Sequence, residues 1–155
     1  MGHPKLTTQL KNFASSVVAV VEPDTTALVV AQVMRKLHVG ALVVVDAVEK
    51  SHPIGIVTDR DLVLELMAEG LDPAVFTVGD IMSVDLVLAS PEMDAMDAVQ
   101  LMNAHQLRRL VITDADGNLT GIVTMEDVLE LLANEISNLS AGLAGAKDRE
   151  TRQRK

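Results

Sequence analysis

The apolar residues of this chain fall into short runs, and their spacing alternates between that of strands and that of helices. Runs rich in β-branched residues and bounded by turn residues predict strands in the first half at residues 17–20, 41–45 and 54–58. Between the first two, residues 26–37 are apolar at helical spacing, with Asp24 or Thr25 as the N-cap and Gly40 as the stop. The third run leads straight into a further helical pattern, so this half predicts the order strand, helix, strand, strand, helix.

The second half repeats this pattern, with strands predicted at residues 86–89, 110–113 and 119–124 and a helix at 93–105. Residues 55–62, Gly-Ile-Val-Thr-Asp-Arg-Asp-Leu, align with residues 121–128, Gly-Ile-Val-Thr-Met-Glu-Asp-Val. A unit of about 60 residues is marginal alone because it buries too little surface. We therefore predict an α/β (α+β) fold in which two β-α-β-β-α units pack sheet to sheet, with pseudo-two-fold symmetry and two equivalent clefts between them.

The duplication divides the chain into five parts. They are an N-terminal segment at residues 1–15, a first unit at 16–70, a linker at 71–82 with a short helix at 78–82, a second unit at 83–135 and an extension at 136–155. The last helix is expected to continue through Ile136 and Leu139, and the chain to fray after residues 141–145 into a basic, disordered tail.

Composition narrows the class of protein. Apolar residues make up 48% of the chain, enough for a core, and there are no cysteines, which argues against disulfides, thiolate nucleophiles and Cys-ligated metals and fits a cytoplasmic protein. The N-terminus is too polar for a secretory signal, and the apolar runs are too short to cross a bilayer. Residues 147–155 hold five basic and two acidic residues, so the net charge of −9 leaves −12 on the remainder, which opposes nucleic-acid binding.

The repeated Thr58-x-x-Asp61 and Thr124-x-x-Asp127 allow two interpretations. A carboxylate can accept from two adjacent hydroxyls, which suits a ribose diol, and a Thr where a strand becomes a helix lies near unpaired N–H groups that suit phosphate. The same spacing resembles a capping box, which stabilises a helix by about 1 kcal/mol without any ligand. Both can hold at once, since a Thr can cap a helix and still donate its proton to a ligand.

Other chemistry has little support in the sequence. The four histidines, His3, His38, His52 and His105, are too scattered to predict a metal site, and the serines have no nucleophile motif around them. Residues 114–118 predict a hairpin turn rather than a calcium loop. We therefore expect a protein that is not an enzyme and carries no catalytic cofactor.

The two Gly-Ile-Val-Thr-x-x-Asp runs, in matching context, resemble the cystathionine-β-synthase (CBS) domain, which occurs in tandem pairs called Bateman modules. The resemblance covers roughly residues 10–135. It implies a regulatory module that binds AMP, ADP, ATP or S-adenosylmethionine. In the family pattern the Asp binds the ribose hydroxyls, the Thr contacts the phosphate or ribose, and strand residues hold the adenine.

The resemblance also implies that each cleft combines one motif with the approach to the other unit's first strand. The first cleft would contain Ile56, Thr58, Arg60, Asp61 and residues 83–87, including Val87. The second would contain Ile122, Thr124, Asp127, Arg108 and residues 15–19, including Ala19. Arg108 is preferred over its neighbour Arg109, because strand alternation places one of them toward solvent. Arg60 aligns with Glu126 and Arg108 with Gly40, so the clefts should differ.

These observations predict a cytoplasmic sensor of AMP, ADP or ATP that acts on a separate, unknown protein. By the family pattern it would be a homodimer paired through the helices at residues 26–37 and 62–67, with no nucleic-acid or membrane partner. One alternative is a ligand-free dimerisation scaffold in which Thr-x-x-Asp is only a cap. Another is an S-adenosylmethionine binder.

Overall fold

The computed structural model describes residues 8–154; residues 1–7, with His3, and Lys155 lie outside the described residues. The first unit consists of β1 (Val20–Val21), α1 (Ala27–Leu37), β2 (Ala41–Val45), β3 (Pro53–Thr58) and α2, which begins as an α-helical turn at Asp59–Asp61 and continues as a π-helical segment at Leu62–Met67. A short helix, α3 (Val78–Ile81), follows in the linker. The second unit consists of β4 (Leu88–Ala89), α4 (Ala95–Ala104), β5 (Arg109–Thr113), β6 (Leu119–Thr124) and α5 (Met125–Gln153).

The two units have the same three-stranded sheet. β1 runs parallel to β2, which pairs antiparallel with β3, and the second sheet has the same order β4-β5-β6. The registers also match, since Val43 lies opposite Ile56 and its counterpart Val111 lies opposite Ile122. The predicted duplication and the predicted fold class are confirmed.

The space between the two sheets is filled by both units. Val43, Val45 and Val111 are buried there in one cluster, and Ile56 and Ile122 pack against it. The opposite face of each sheet is covered by that unit's own helices. Because the central cluster takes side chains from both sheets, neither unit can bury it alone.

The chain crosses between the units before each first strand. Leu10 is fully buried in the core of the second unit, and its N–H donates to the Met93 carbonyl at 2.9 Å. Val78 is fully buried in the core of the first unit, and its N–H donates to the Thr25 carbonyl at 2.7 Å. Residues 9–15 therefore pack with the second unit, and residues 73–83 pack with the first. We call these two stretches the crossing segments.

The same crossing shortens the predicted first strands. Ser15 pairs with Ile122 and Ser83 pairs with Ile56, so each approaching segment is bonded to the other unit's third strand before it joins its own sheet. The strands predicted at residues 17–20 and 86–89 are consequently two-residue strands, β1 and β4, and Val17 is 86% exposed.

The helix boundaries differ from the sequence prediction most clearly at three points; α3 and α4 are also slightly shorter than predicted. Thr26, rather than Asp24 or Thr25, caps α1, its Oγ1 accepting the Val29 N–H at 3.4 Å. The helix ends at His38 in the left-handed conformation with φ 55°, two residues before Gly40. The third difference is α5, which continues to Gln153 where we expected fraying after residues 141–145. Within residues 8–154 no helix is both long and apolar enough to cross a membrane.

Candidate functional site

Both Thr-x-x-Asp motifs form capping boxes. At the start of α2, the Thr58 N–H donates to Asp61 Oδ2 at 2.8 Å and the Asp61 N–H donates to Thr58 Oγ1 at 3.2 Å. Thr124 and Asp127 repeat this geometry at the start of α5, at 2.9 and 3.1 Å. The capping interpretation is therefore confirmed at both motifs. Each carboxylate keeps its Oδ1 free of protein hydrogen bonds within the described part of the chain.

The start of α2 does not offer the unpaired N–H groups that we expected for phosphate. The Asp59 N–H donates to the Gly40 carbonyl at 3.0 Å, and the Arg60 N–H donates to Asp59 Oδ1 at 2.8 Å. The Asp61 N–H is used by the capping box. Since the first three N–H groups already have partners, a phosphate near α2 would need a side-chain donor.

A cavity of about 160 Å³ lies at the first motif, between the two units. Its lining residues are Ile56, Thr58, Asp61, Ser83, Asp85, Leu86, Val87, Leu107, Arg109 and Val111. The structure thus brings the first motif together with the segment that approaches β4, and the cavity has two carboxylates (Asp61 and Asp85), two hydroxyls (Thr58 and Ser83) and apolar walls. We call this cavity the Asp61 cleft.

The basic residue of the Asp61 cleft is Arg109, which the sequence analysis ranked below Arg108. Its Nη2 lies 3.7 Å from the point where a Cβ on Gly40 would be, so the absence of a side chain at Gly40 leaves room for the guanidinium. Asp59 Oδ2 lies 3.2 Å from the same point. Arg108 is exposed just before β5, where its carbonyl accepts the Met125 N–H at 2.8 Å. Arg60 is exposed as well and does not line this cavity.

Strand alternation does contain the signal that identifies Arg109. Val111 packs between the sheets, whereas Leu110 and Ile112 pack toward the helices of the second unit. Arg109, two residues before Val111, therefore shares the face that points between the units. Because both faces of β5 are apolar, the sequence does not show which face meets the other sheet, and this is why Arg109 could not be identified.

The second motif has different surroundings. Asp127 lines a separate depression with Phe13, Glu130, Leu131 and Asn134. Ile122 packs in the cluster between the sheets, and Ala19 packs against the core of the first unit. The position equivalent to Arg109 is Ala41, so the surroundings of Asp127 lack that cation. Arg108, which we had assigned to this cleft, projects from the surface.

The two hairpin loops meet at the other end of the units. The Leu119 N–H donates to the Ser51 carbonyl at 2.7 Å, and the Ser51 hydroxyl donates to Asn118 Oδ1 at 2.8 Å. The Asn118 N–H donates to Asp114 Oδ1, which holds the pKa of the Asp114 carboxyl below its ordinary value. These bonds make residues 114–118 the predicted hairpin turn. Within residues 8–154, no three His, Asp or Glu side chains are grouped so as to hold a metal ion.

Comparison with known proteins agrees with this architecture. The family model of the CBS domain matches residues 10–68 and 78–134, and the chain belongs to this family. The chain is thus a tandem pair of CBS domains, a class of regulatory module. Each matched range begins within a segment that packs with the other unit, since Leu10 lies in the core of the second unit and Val78 in that of the first.

The chain is similar to proteins of several organisms over most of its length. The CBS domain-containing protein YhcV of Bacillus subtilis is 42% identical over 135 residues, which cover 87% of this chain and 91% of that protein. An uncharacterised Methanopyrus kandleri protein is 41% identical over 109 residues, or 70% of this chain, and the match spans 55% of that protein. A CBS domain protein of Pyrobaculum aerophilum, crystallised with AMP, superposes with a TM-score of 0.72 at 21% identity, covering 82% of this chain and 99% of that one.

Proposed function

We propose that this CBS pair binds an adenine nucleotide in the Asp61 cleft and acts as a regulatory sensor. The observation that carries the proposal is that one cavity between the units combines a capping carboxylate with a free oxygen, apolar walls and a guanidinium. The AMP complex of the Pyrobaculum aerophilum protein supports the choice of ligand class.

The ribose is assigned to Asp61 and Thr58. Asp61 Oδ2 already accepts the Thr58 N–H, which holds the carboxylate in place and leaves Oδ1 for a ribose hydroxyl. A hydrogen bond from a hydroxyl to a carboxylate is roughly twice as strong as one between neutral groups. Capping and ligand binding therefore use different oxygens of one side chain, and the two interpretations of the motif are compatible.

The adenine and the phosphate are assigned to opposite ends of the cleft. Ile56, Val87 and Val111 offer apolar surface to the base, and Arg109 offers the charge for the phosphate. The cavity of about 160 Å³ is smaller than typical ligand sites of roughly 300 Å³ or more. It would enclose only part of a nucleotide, with the phosphate reaching toward solvent beside Arg109.

Occupancy is proposed for the Asp61 cleft alone. The surroundings of Asp127 have Ala41 where the Asp61 cleft has Arg109, and the remainder of the chain is strongly acidic. A phosphorylated ligand therefore has a cation in one cleft and no equivalent cation in the other. We expect one nucleotide per chain.

Isothermal titration calorimetry with AMP, ADP, ATP and S-adenosylmethionine tests the proposal. Arg109→Gln should weaken AMP binding about tenfold or more, because it removes a charge-assisted contact, and should leave adenosine binding nearly unchanged. Arg108→Gln is the matched control, since it removes the same charge from the adjacent, exposed position. If no nucleotide binds at millimolar concentration, or if both variants lose affinity equally, the proposed site is wrong.

Replacing the two motif carboxylates separates binding from capping. Asp61→Ala and Asp127→Ala each remove a capping-box acceptor and should each lower stability by about 1 kcal/mol. Nucleotide affinity should fall only with Asp61→Ala. If Asp127→Ala abolishes binding while Asp61→Ala does not, the assignment of the cleft must be reversed.

The regulatory output follows from the position of the cleft. Its lining residues come from both units, so a bound nucleotide would favour one relative arrangement of the units over another. We propose a cytoplasmic homodimer paired through α1 and α2, whose exposed apolar side chains are Leu28, Val29, Leu37, Val63, Leu64 and Met67. The regulated partner would be a separate protein.

A ligand-free dimerisation scaffold is the second candidate function. The completed capping boxes favour it, because they show that both Thr-x-x-Asp motifs have a structural role without a ligand. The calorimetric titrations distinguish the two functions. A scaffold would remain dimeric and bind none of the four ligands.

A further inference from the structure

The second half of α5 extends away from both units. Every residue from 133 to 153 is exposed, although all of them are helical. In proteins most helical stability comes from tertiary packing, which an exposed helix lacks, and Gly142 and Gly145 weaken this helix further relative to alanine. A partner along one face would supply the missing packing.

The apolar residues of α5 follow a heptad repeat. They occupy the alternating three- and four-residue steps of a coiled-coil seam at Leu129, Leu132, Ile136, Leu139, Leu143 and Ala146. In the extension, Ile136, Leu139 and Leu143 are 64%, 70% and 66% exposed. Three large apolar side chains in one row, each about two-thirds exposed, form a seam without a partner within the described chain. We call this row the α5 seam.

We propose that the α5 seam pairs antiparallel with the same helix of a second copy of this chain. Antiparallel packing places the first position of one heptad opposite the fourth position of the other. Leu132 already packs in part against the core of its own second unit and is half-buried, so it offers only its outer side to a second copy. The seam then closes on itself in layers, with Leu129 opposite Ala146, Leu132 opposite Leu143 and Ile136 opposite Leu139 of the second copy. The six seam residues thus leave none unpaired.

The charge distribution along α5 favours antiparallel over parallel pairing of the two helices. The first half of α5 is acidic, with Glu126, Glu130 and Glu135, whereas residues 147–154 hold four basic and two acidic residues. Antiparallel pairing places the basic end of each helix beside the acidic half of the other copy's helix. At the heptad positions next to the seam, Glu126 of one copy lies opposite Lys147 of the other. Parallel pairing would bring the two basic ends together, which costs free energy.

The residues beside the seam favour a second copy over a lipid surface. A membrane-surface helix has a broad apolar face bordered by basic residues. Here the apolar row is narrow, and its neighbours from 133 to 142 are small, polar or acidic, including Asn134, Glu135 and Ser140. The basic residues begin only at Lys147, beyond the seam.

Engineered disulfides in the full chain test the pairing, because the native chain has no cysteine. Leu129→Cys and Ala146→Cys are made separately, mixed, and oxidised. Antiparallel pairing predicts a disulfide-linked dimer in the mixture and none in either variant alone, since the two positions face each other across the layer. In a parallel pair they would be about 26 Å apart along the axis, too far for a disulfide.

Self-linking of either single variant, or no link in the mixture, overturns the proposal. A second measurement uses circular dichroism and sedimentation. The double variant Ile136→Glu with Leu139→Glu should lose up to about a third of the helical signal, because residues 133–153 are about a third of the helical residues and would no longer be paired. The matched control is Ser137→Glu with Ala141→Glu, the same charges on the opposite face, which should keep the helix and the assembly.

The helical signal also separates this interface from the α1 and α2 interface proposed above. Loss of that other interface would lower the sedimenting mass without melting the extension. Equal loss of helix in both double variants contradicts the α5 seam. So does a seam variant that stays helical, or a native extension that gains helix only on anionic vesicles.

Discussion

Gly121→Ala probes the crossing that joins the two units. Gly121 precedes Ile122, whose N–H donates to the Ser15 carbonyl at 3.0 Å and whose carbonyl accepts the Ser15 N–H at 3.2 Å. A Cβ on Gly121 would lie 2.8 Å from that same Ser15 oxygen. The backbone conformation of Gly121 is open to alanine, so the contact alone decides the effect. The chain can relieve it only by moving the crossing segment away from β6.

The expected magnitude follows from two opposing effects. Overpacking against backbone costs about 1–3 kcal/mol. Alanine also lowers the conformational entropy of the unfolded chain, which stabilises the folded state by about 0.4–1 kcal/mol. The net loss should be about 1–2 kcal/mol, and since 1 kcal/mol shifts Tm by about 2–4 °C at this size, Tm should fall by about 2–8 °C.

Urea and thermal unfolding, followed by circular dichroism, measure this loss. Gly145→Ala is the control, because a Cβ there meets nothing within 4 Å and alanine is the better helix former. It should leave stability unchanged or raise it slightly. A Gly121→Ala protein as stable as the native chain would refute the idea that the motif glycine is required by the crossing segment.

Three further substitutions test the core, the caps and the hairpin. Met102→Ala should cost about 2–5 kcal/mol in urea unfolding, because Met102 is fully buried, whereas Val17→Ala at an exposed site should cost less than about 0.5 kcal/mol. Thr124→Ala should cost about 1 kcal/mol through the lost cap of α5, and a change below 0.3 kcal/mol would contradict that role. The Asp114 pKa lies below its unfolded value of about 3.9, so its stabilising effect is present above that pH and is lost as pH falls through the folded pKa. The urea midpoint of Asp114→Asn should therefore fall less between pH 5 and pH 3 than that of the native chain.

Much of this fold could be predicted from the sequence because it is specified locally. Strand and helix periodicity, and a near-identical run in two places, identified the duplicated unit and its element order. Thr58-x-x-Asp61 and Thr124-x-x-Asp127 predicted capping boxes, since a cap depends only on residues three positions apart.

The tertiary structure decided what the local pattern could not contain. Residues 9–15 belong to the core of the second unit, because the apolar partners of Leu10 lie about 80 to 120 residues further along the chain. Arg109, rather than Arg108, lines the Asp61 cleft, because the packing of the sheets decides which face of β5 meets the first unit. The N–H groups of α2 that we expected to be available for phosphate donate instead to the Gly40 carbonyl and to neighbouring side chains. Local spacing determines the elements and their caps, and sequence differences predict that the two clefts differ. Which residues line each cleft depends on how distant segments pack, and that packing decided that Arg109 distinguishes them.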